Sequence, residues 1–252
     1  MEILINGARG YMGREVTKLC DAGYKGARTA ALVDMAGGDG IFAELSEVEC
    51  GVDCIVDFSH HSATVSLLDF AVERGIPAVI ATTGHDEEEL AAIRRAAEQI
   101  PVFYSGNMSL GIALLCESAK AIAAAMPDAE IEIVESHHHR KLDAPSGTAL
   151  MLAGAIIEAR PECYTNLGRS GHGKRDFNEI GVHSVRMGNI VGIHEVIIGT
   201  DSQTITLKHE AHDRALFAEG ALSAAEFIVG LPAGLYDMKS LVSGERAAAL
   251  ID

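Results

Sequence analysis

The chain has 252 residues, 48% of them hydrophobic, with 20 basic against 36 acidic side chains and a formal net charge of −16. That length and apolar content support two modest domains with cores of their own and exclude a disordered or low-complexity protein. The acidic balance disfavours nucleic acid and an anionic membrane surface as partners, although local cations still set the field inside a cleft.

Taken in order, residues 3–6 read as a strand that begins almost at once. With no basic leader or apolar signal core before it, and no uninterrupted apolar run of membrane-spanning length, the expected location is the cytoplasm. A helix follows from Tyr11, then strands at 29–34 and 54–58, a helix from His61, a strand at 78–81, a helix at 87–99 and a strand at 102–104. Such alternation predicts a parallel sheet covered by helices, a Rossmann-like half. Residues 110–126 read as an Ala-rich helix leading to a strand at 131–135 and a helix at 149–158. After a Gly-rich basic loop at 168–174, extended runs at 181–186, 190–200 and 203–209 predict an antiparallel or mixed sheet. A last amphipathic helix at 215–229 returns to the first half. The expectation is an α/β protein: a dinucleotide-binding domain over 1–108 with a C-terminal return at 215–252, and an α+β substrate-binding and oligomerisation domain over 109–214. Cys20, Cys50, Cys54, Cys116 and Cys163 are odd in number and scattered, which suits reduced thiols packed as small hydrophobes.

Gly7-Ala8-Arg9-Gly10-Tyr11-Met12-Gly13 follows the first strand and opens a helix, the context in which spaced glycines hold a dinucleotide pyrophosphate. The spacing is G-x-x-G-x-x-G, so the strand and helix on either side carry as much of the inference as the glycines. Asp34 ends the second strand where a ribose-binding acid belongs. A carboxylate there repels a 2′-phosphate, and Met35-Ala36-Gly37-Gly38 bring no cation. NADH is therefore the expected cofactor, with NADPH tolerated if Arg9 or a more distant cation reaches the phosphate. Ala81, Thr82 and Thr83 follow one strand and Ser105, Gly106, Asn107 and Met108 follow the next, both positioned to line the nicotinamide end; Phe58 is placed to pack on the cofactor.

The segment from Glu135 to Thr148, Glu-Ser-His-His-His-Arg-Lys-Leu-Asp-Ala-Pro-Ser-Gly-Thr, gathers imidazoles, a fixed cation and a helix N-terminus in one strand-to-helix connection. His137 is suited to exchange protons near neutral pH, and Lys141 supplies charge. Ser146 or Thr148 caps the helix, and the Ser146-Gly147-Thr148 amides form a carboxylate site. Arg140 and Asp143 read as a solvated charge and a turn-former. Only His137 and His139 of the histidine triplet share a face, so a metal site is disfavoured.

With these residues assembled, the chain resembles the 4-hydroxy-tetrahydrodipicolinate (dihydrodipicolinate) reductase family along essentially its whole length. The most specific part is residues 135–148, which match E-x-H-H-x-x-K-x-D-x-P-S-G-T. The resemblance implies an NAD(P)H-dependent reductase of a dicarboxylate in lysine and diaminopimelate biosynthesis. It implies His137 as proton donor or acceptor, Lys141 as proton donor, His138 as a substrate contact, and the Gly147 and Thr148 amides as a carboxylate cradle. Cofactor contacts are implied at Gly7 to Met12, Asp34, Ala81 to Thr83 and Ser105 to Met108, with no metal and a homotetramer joined through the substrate-domain sheets. Met187, Ile193 and the His60-His61 pair depart from the family pattern, which bears on loop shape and substrate contacts. Rival readings are a reductase of another imine or carbonyl dicarboxylate, a non-catalytic nucleotide-binding regulator, and a metal module on His137 and His139.

Overall fold

The computed structural model describes residues 1–244. The chain divides into two compact units, one formed by Met1–Leu110 together with the segment from Ala215 onward, the other by Gly111–Arg214.

In chain order the elements are β1 (Glu2–Asn6), α1 (Tyr11–Asp21), β2 (Arg28–Val33), β3 (Cys54–Asp57), α2 (Thr64–Arg74), β4 (Ala78–Ile80), α3 (Glu87–Ala97) and β5 (Pro101–Tyr104). They continue with α4 (Leu110–Ala125), β6 (Glu130–His137), α5 (Gly147–Ala159), β7 (Tyr164–Asn166), β8 (Glu179–Arg186), β9 (Gly192–Thr200) and β10 (Gln203–Ala211). The described chain closes with α6 (Ala215–Ile228), β11 (Gly234–Tyr236) and α7 (Met238–Ser243).

The first unit carries a six-stranded sheet in the order β11-β5-β4-β3-β1-β2. Every pairing in it is parallel. Strands β3 and β4 are buried along their whole length, as the continuous apolar runs of a doubly covered parallel sheet require. On one face Leu4, Ile55 and Ile80 pack with Leu67 and Leu68 of α2 and Ile93 of α3. Chain order reverses at β1, with β2 on one side and β3 on the other, so the crevice beyond the carboxyl ends of β1 to β5 is the place where such sheets bind ligands.

The second unit carries a five-stranded mixed sheet, β10-β9-β6-β8-β7. Strand β6 runs parallel to β8 and antiparallel to β9. Alternate residues of β6 are buried, and along that face the chemistry changes. Ile131 and Ile133 lie in the core with Ile112 and Leu115 of α4 and Leu152 and Ile156 of α5. Further along, the same face presents Glu135 and His137. A packed apolar anchor thus hands over to a polar strand end without a change of register.

The helix expected from His61 begins instead as a short 3-10 turn at His61–Ala63, capped by the His60 ring, which accepts the Ser62 amide; α2 proper starts at Thr64. The run expected from 190 starts at Gly192, and the next extends to Ala211. Strands β7 and β11, of three residues each, have no counterpart in the sequence reading. Part of the expected return at 215–252 falls on 245–252, outside the described residues. Among the described residues no helix is long and apolar enough to cross a membrane.

Candidate active site

In the first unit the glycine loop lies at the carboxyl end of β1. Gly7 has φ +81, and a Cβ there would stand 2.7 Å from the Phe58 carbonyl oxygen; a Cβ on Gly13 would stand 2.2 Å from that of Gly7. Side chains are therefore excluded where the loop, the β3 end and the first turn of α1 meet. Gly10 is the N-cap of α1 and offers no side-chain cap to the first amides, which leaves a helix N-terminus of the kind that takes a diphosphate.

Asp34 accepts the Arg9 amide at 2.9 Å and the Ala36 amide at 3.2 Å. The Arg9 guanidinium turns toward the same loop, donating to the Gly37 carbonyl at 2.5 Å and the Gly38 carbonyl at 3.1 Å, with Asp39 at 3.5 Å. Its Nε is buried and unpartnered. A cation that sequence order leaves distant thus stands beside the expected ribose acid. Next to it opens a crevice lined by Val33, Met35, Ala63, Ser66 and Phe70, with Glu44, Asp69 and Glu73 at its walls. No sequence pattern joins residues 35–46 to 62–74, so this crevice is visible only in the fold.

Ala81 to Thr83 and Ser105 to Met108 lie side by side, since β4 and β5 pair directly. Thr82 turns its hydroxyl inward to Asp57 at 2.7 Å, and Asn6 and Ser59 donate to the same fully buried carboxylate at 2.8 and 2.6 Å. Thr82 is therefore a pin, and Thr83 is the exposed residue of that turn. In the neighbouring segment the Met108 side chain is buried, leaving Gly106 as the open position. The uncapped helix terminus, the side-chain-free glycine cradle and the acid at the β2 end fit a dinucleotide.

In the second unit β6 ends at His137, whose Nδ1 lies 2.5 Å from Glu135 Oε2. Burial alone would raise the Glu135 carboxyl, but hydrogen bonds from Arg186, Ser184, His137 and the Ser146 amide outweigh it and hold the group at about 2. An ionised Glu135 can only accept, so the proton of the ring sits on Nδ1 and the Nε2 lone pair is left outward of that pair. Burial lowers His137 below the ordinary histidine value, with Lys141 and Arg186 adding to it and Glu135 opposing. At neutral pH the ring is an uncharged acceptor.

Lys141 pairs with Asp143 at 2.9 Å, so Asp143 is a partner of the cation and more than the turn-former expected. Asp143 is held below the usual carboxylate range by that contact. Arg140 donates to Asn189 at 2.6 Å. His138 is lowered by burial and by the neighbouring charges of Arg140 and Arg214. His139 Nδ1 meets the Gly188 carbonyl at 2.9 Å. Among the described residues no group of three or more His, Cys, Asp or Glu side chains is arranged to hold a metal ion.

Ser146 is the N-cap of α5 and accepts the Ala149 amide at 3.2 Å. Its own amide is spent on Glu135 at 3.1 Å, which removes it from the expected carboxylate site. Gly147 and Thr148 open the helix at its N-terminal end, and the space beside Gly147 is open. Beneath them His194 Nε2 lies 3.2 Å from Ser146 Oγ and its ring stands edge-on to His137. Burial and the adjacent His137 push His194 down to about 4. Glu135, Arg186 and His194 had no assigned role in the sequence reading. They lie on β6, β8 and β9, and only strand register brings them together.

A family model described as "Dihydrodipicolinate reductase, N-terminus" matches residues 1–108, and one described as "Dihydrodipicolinate reductase, C-terminus" matches residues 111–242. The chain belongs to the dihydrodipicolinate reductase family. As a reductase of that family it is an oxidoreductase of lysine and diaminopimelate biosynthesis that works with a pyridine nucleotide. It is 42% identical over 250 residues to a 4-hydroxy-tetrahydrodipicolinate reductase of Caldanaerobacter subterraneus subsp. tengcongensis, covering 96% of this chain and 98% of the relative. It is 41% identical over 255 residues to the enzyme of that name from Caulobacter vibrioides, with 98% of each chain covered. The fold is similar to a solved dipicolinate-bound dihydrodipicolinate reductase from Paenisporosarcina sp. TG-14, with a TM-score of 0.78, 23% identity, and coverage of 94% of this reductase and 97% of that chain.

Proposed function

We propose that the protein reduces 4-hydroxy-tetrahydrodipicolinate to tetrahydrodipicolinate, with the first unit holding the nucleotide and the second the dicarboxylate. The observation that carries this reading is the second unit's strand end, where a neutral, tautomer-fixed His137, the Lys141 cation and the amides of Gly147 and Thr148 occur in one segment. The solved relative from Paenisporosarcina was obtained with dipicolinate bound, which supports a ring dicarboxylate as ligand of this fold.

Gly7, Ala8, Arg9, Gly10, Tyr11 and Met12 would hold the diphosphate, Asp34 the ribose, and Ala81 to Thr83 with Ser105 to Met108 the nicotinamide end. The bound nicotinamide would supply the hydride that, with one proton, replaces the 4-hydroxyl lost as water. Lys141 attracts one substrate carboxylate in competition with Asp143 and gives up the balancing proton. His137 Nε2 accepts a proton or hydrogen bond from the substrate, and His138 lines the ring. The amides of Gly147 and Thr148 take the second carboxylate at the positive end of α5.

NADH is the favoured cofactor, because Asp34 and the crevice acids Glu44, Asp69 and Glu73 outnumber Arg9 and Arg74 near the ribose end. Arg9 allows NADPH as a second substrate. The working form is a homotetramer joined through the second-unit sheet, and the enzyme is cytoplasmic. The test is loss of NADH absorbance when substrate is generated in situ from pyruvate and aspartate semialdehyde by the preceding synthase. Turnover that requires the synthase supports the reading; no oxidation of either nucleotide overturns it.

A further inference from the structure

Glu135 is fully buried and accepts hydrogen bonds on both of its oxygens. His137 Nδ1 at 2.5 Å and Arg186 Nη1 at 2.8 Å approach Oε2, while Arg186 Nη2 at 2.7 Å and the Ser146 amide at 3.1 Å approach Oε1. Register builds this arrangement: β8 places Ser184 opposite Glu135 and Arg186 opposite His137. Each donor restrains a different part of the site. The imidazole is the proton-exchanging group, the Ser146 amide belongs to the N-cap of α5, and the guanidinium also donates to the Asp143 carbonyl, so it holds the loop carrying Lys141.

A buried carboxylate against an imidazole ordinarily draws that ring toward its charged form. A guanidinium gripping the same carboxylate through two parallel hydrogen bonds supplies an opposing charge beside it. Orientation and charge are therefore separable here, because one residue provides the hydrogen bond and another cancels its field.

We propose that Glu135 and Arg186 act together as positioning residues: the carboxylate fixes His137 as the Nδ1–H tautomer and ties it to the α5 N-terminus, while the guanidinium opposes the carboxylate's pull on the ring, so that the buried imidazole is aimed without being charged. The functional part rests on His137 exchanging a proton with substrate. The charged and titratable groups facing His137 are Glu135 and His138 on either side of it in the chain, Arg186 from β8, His194 from β9, and Lys141 from the following loop, whose ammonium pairs with Asp143.

The test is a proton NMR titration of the His137 ring, alongside the pH profile of kcat/KM, in the full-length protein and in Glu135→Gln, Arg186→Gln and Arg186→Lys. Removing the carboxylate charge is expected to move the His137 midpoint down by about one unit, and removing the guanidinium to move it up. Arg186→Lys, which keeps the charge but not the fork, returns the midpoint toward the parent while kcat stays reduced by about tenfold or more. The limb of kcat/KM follows each midpoint, and the dissociation constant for NADH is unchanged. A common loss of activity with no shift, or shifts of the same sign, overturns the proposal. Opposite NMR shifts with an unmoved kinetic limb uphold the positioning and instead overturn His137 as the proton-exchanging group. Should Glu135→Gln fail to fold, the two Arg186 variants decide the question alone.

Discussion

Asp34 accepts the backbone amide of Arg9 at 2.9 Å, so the acid at the end of β2 holds the glycine loop at the end of β1. On the proposed reading one side chain would therefore have two duties, fixing the loop and facing the ribose. Asp34→Asn retains an acceptor for the loop and removes the charge, whereas Asp34→Ala removes both. We expect Asp34→Asn to narrow the NADH over NADPH preference with a modest rise in KM. Asp34→Ala narrows it equally and raises both KM values about tenfold or more, the value of a lost charge-assisted hydrogen bond. Ratios of kcat/KM for the two nucleotides check this, and an unaltered ratio in both variants counts against the assignment.

Lys141 belongs to the second unit and touches Asp143. Lys141→Met keeps the aliphatic stem and removes the ammonium. Turnover is expected to fall about 10²- to 10⁴-fold, the range for a lost proton donor, while NADH binding measured by fluorescence stays as it was. A variant with undiminished kcat removes Lys141 from the reaction.

Helix α6 packs tightly at Gly220, where a Cβ would stand 1.7 Å from the Met108 carbonyl oxygen. Gly220→Ala must displace the segment after β5. A loss of about 1–3 kcal/mol is expected, as for overpacking in a filled interior, together with a raised KM for the nucleotide because Ser105 to Met108 is displaced. Urea unfolding and nucleotide titration report the two effects separately. Full stability would show that the contact relaxes freely.

Acid should weaken the fold in two stages. His194 is held down to about 4, below the value of about 6.5 for an unfolded histidine. Its contribution is complete above about pH 6.5 and is lost as pH falls toward 4. Glu135, held at about 2, contributes fully above the unfolded value of about 4.3 and loses that contribution as pH falls toward 2. Chemical unfolding at pH 7, 5.5 and 4.5 should show a smaller pH-dependent loss in His194→Asn than in the parent. The difference isolates His194 from His85, His137, His138 and His209, which burial also lowers. Parallel curves would show that His194 does not set the first stage.

The sequence made the parallel half legible through apolar runs separated by helical periods, and the glycine loop through its place between strand and helix. It also exposed the residues of 135–148, because chemistry concentrated in one short segment is visible without a fold. Contacts made by register stayed hidden: Arg186 and His194 are far from Glu135 along the chain and adjacent to it only across β8 and β9. Strands β7 and β11 were too short to show a period. The Ser146 amide was assigned to a ligand because a helix N-terminus reads as open until the carboxylate that fills part of it is seen.

The chain leaves the first unit at Leu110 and rejoins it at Ala215, with everything between forming the second. During synthesis, β1 to β5 emerge long before α6, whose Ala221, Leu222 and Ala225 are buried, and before the edge strand β11. The contiguous second unit has its whole sequence available first, whereas the parallel sheet waits for closure across more than a hundred intervening residues. Its incomplete edge at β5 is the surface a nascent chain must keep from pairing with the wrong partner.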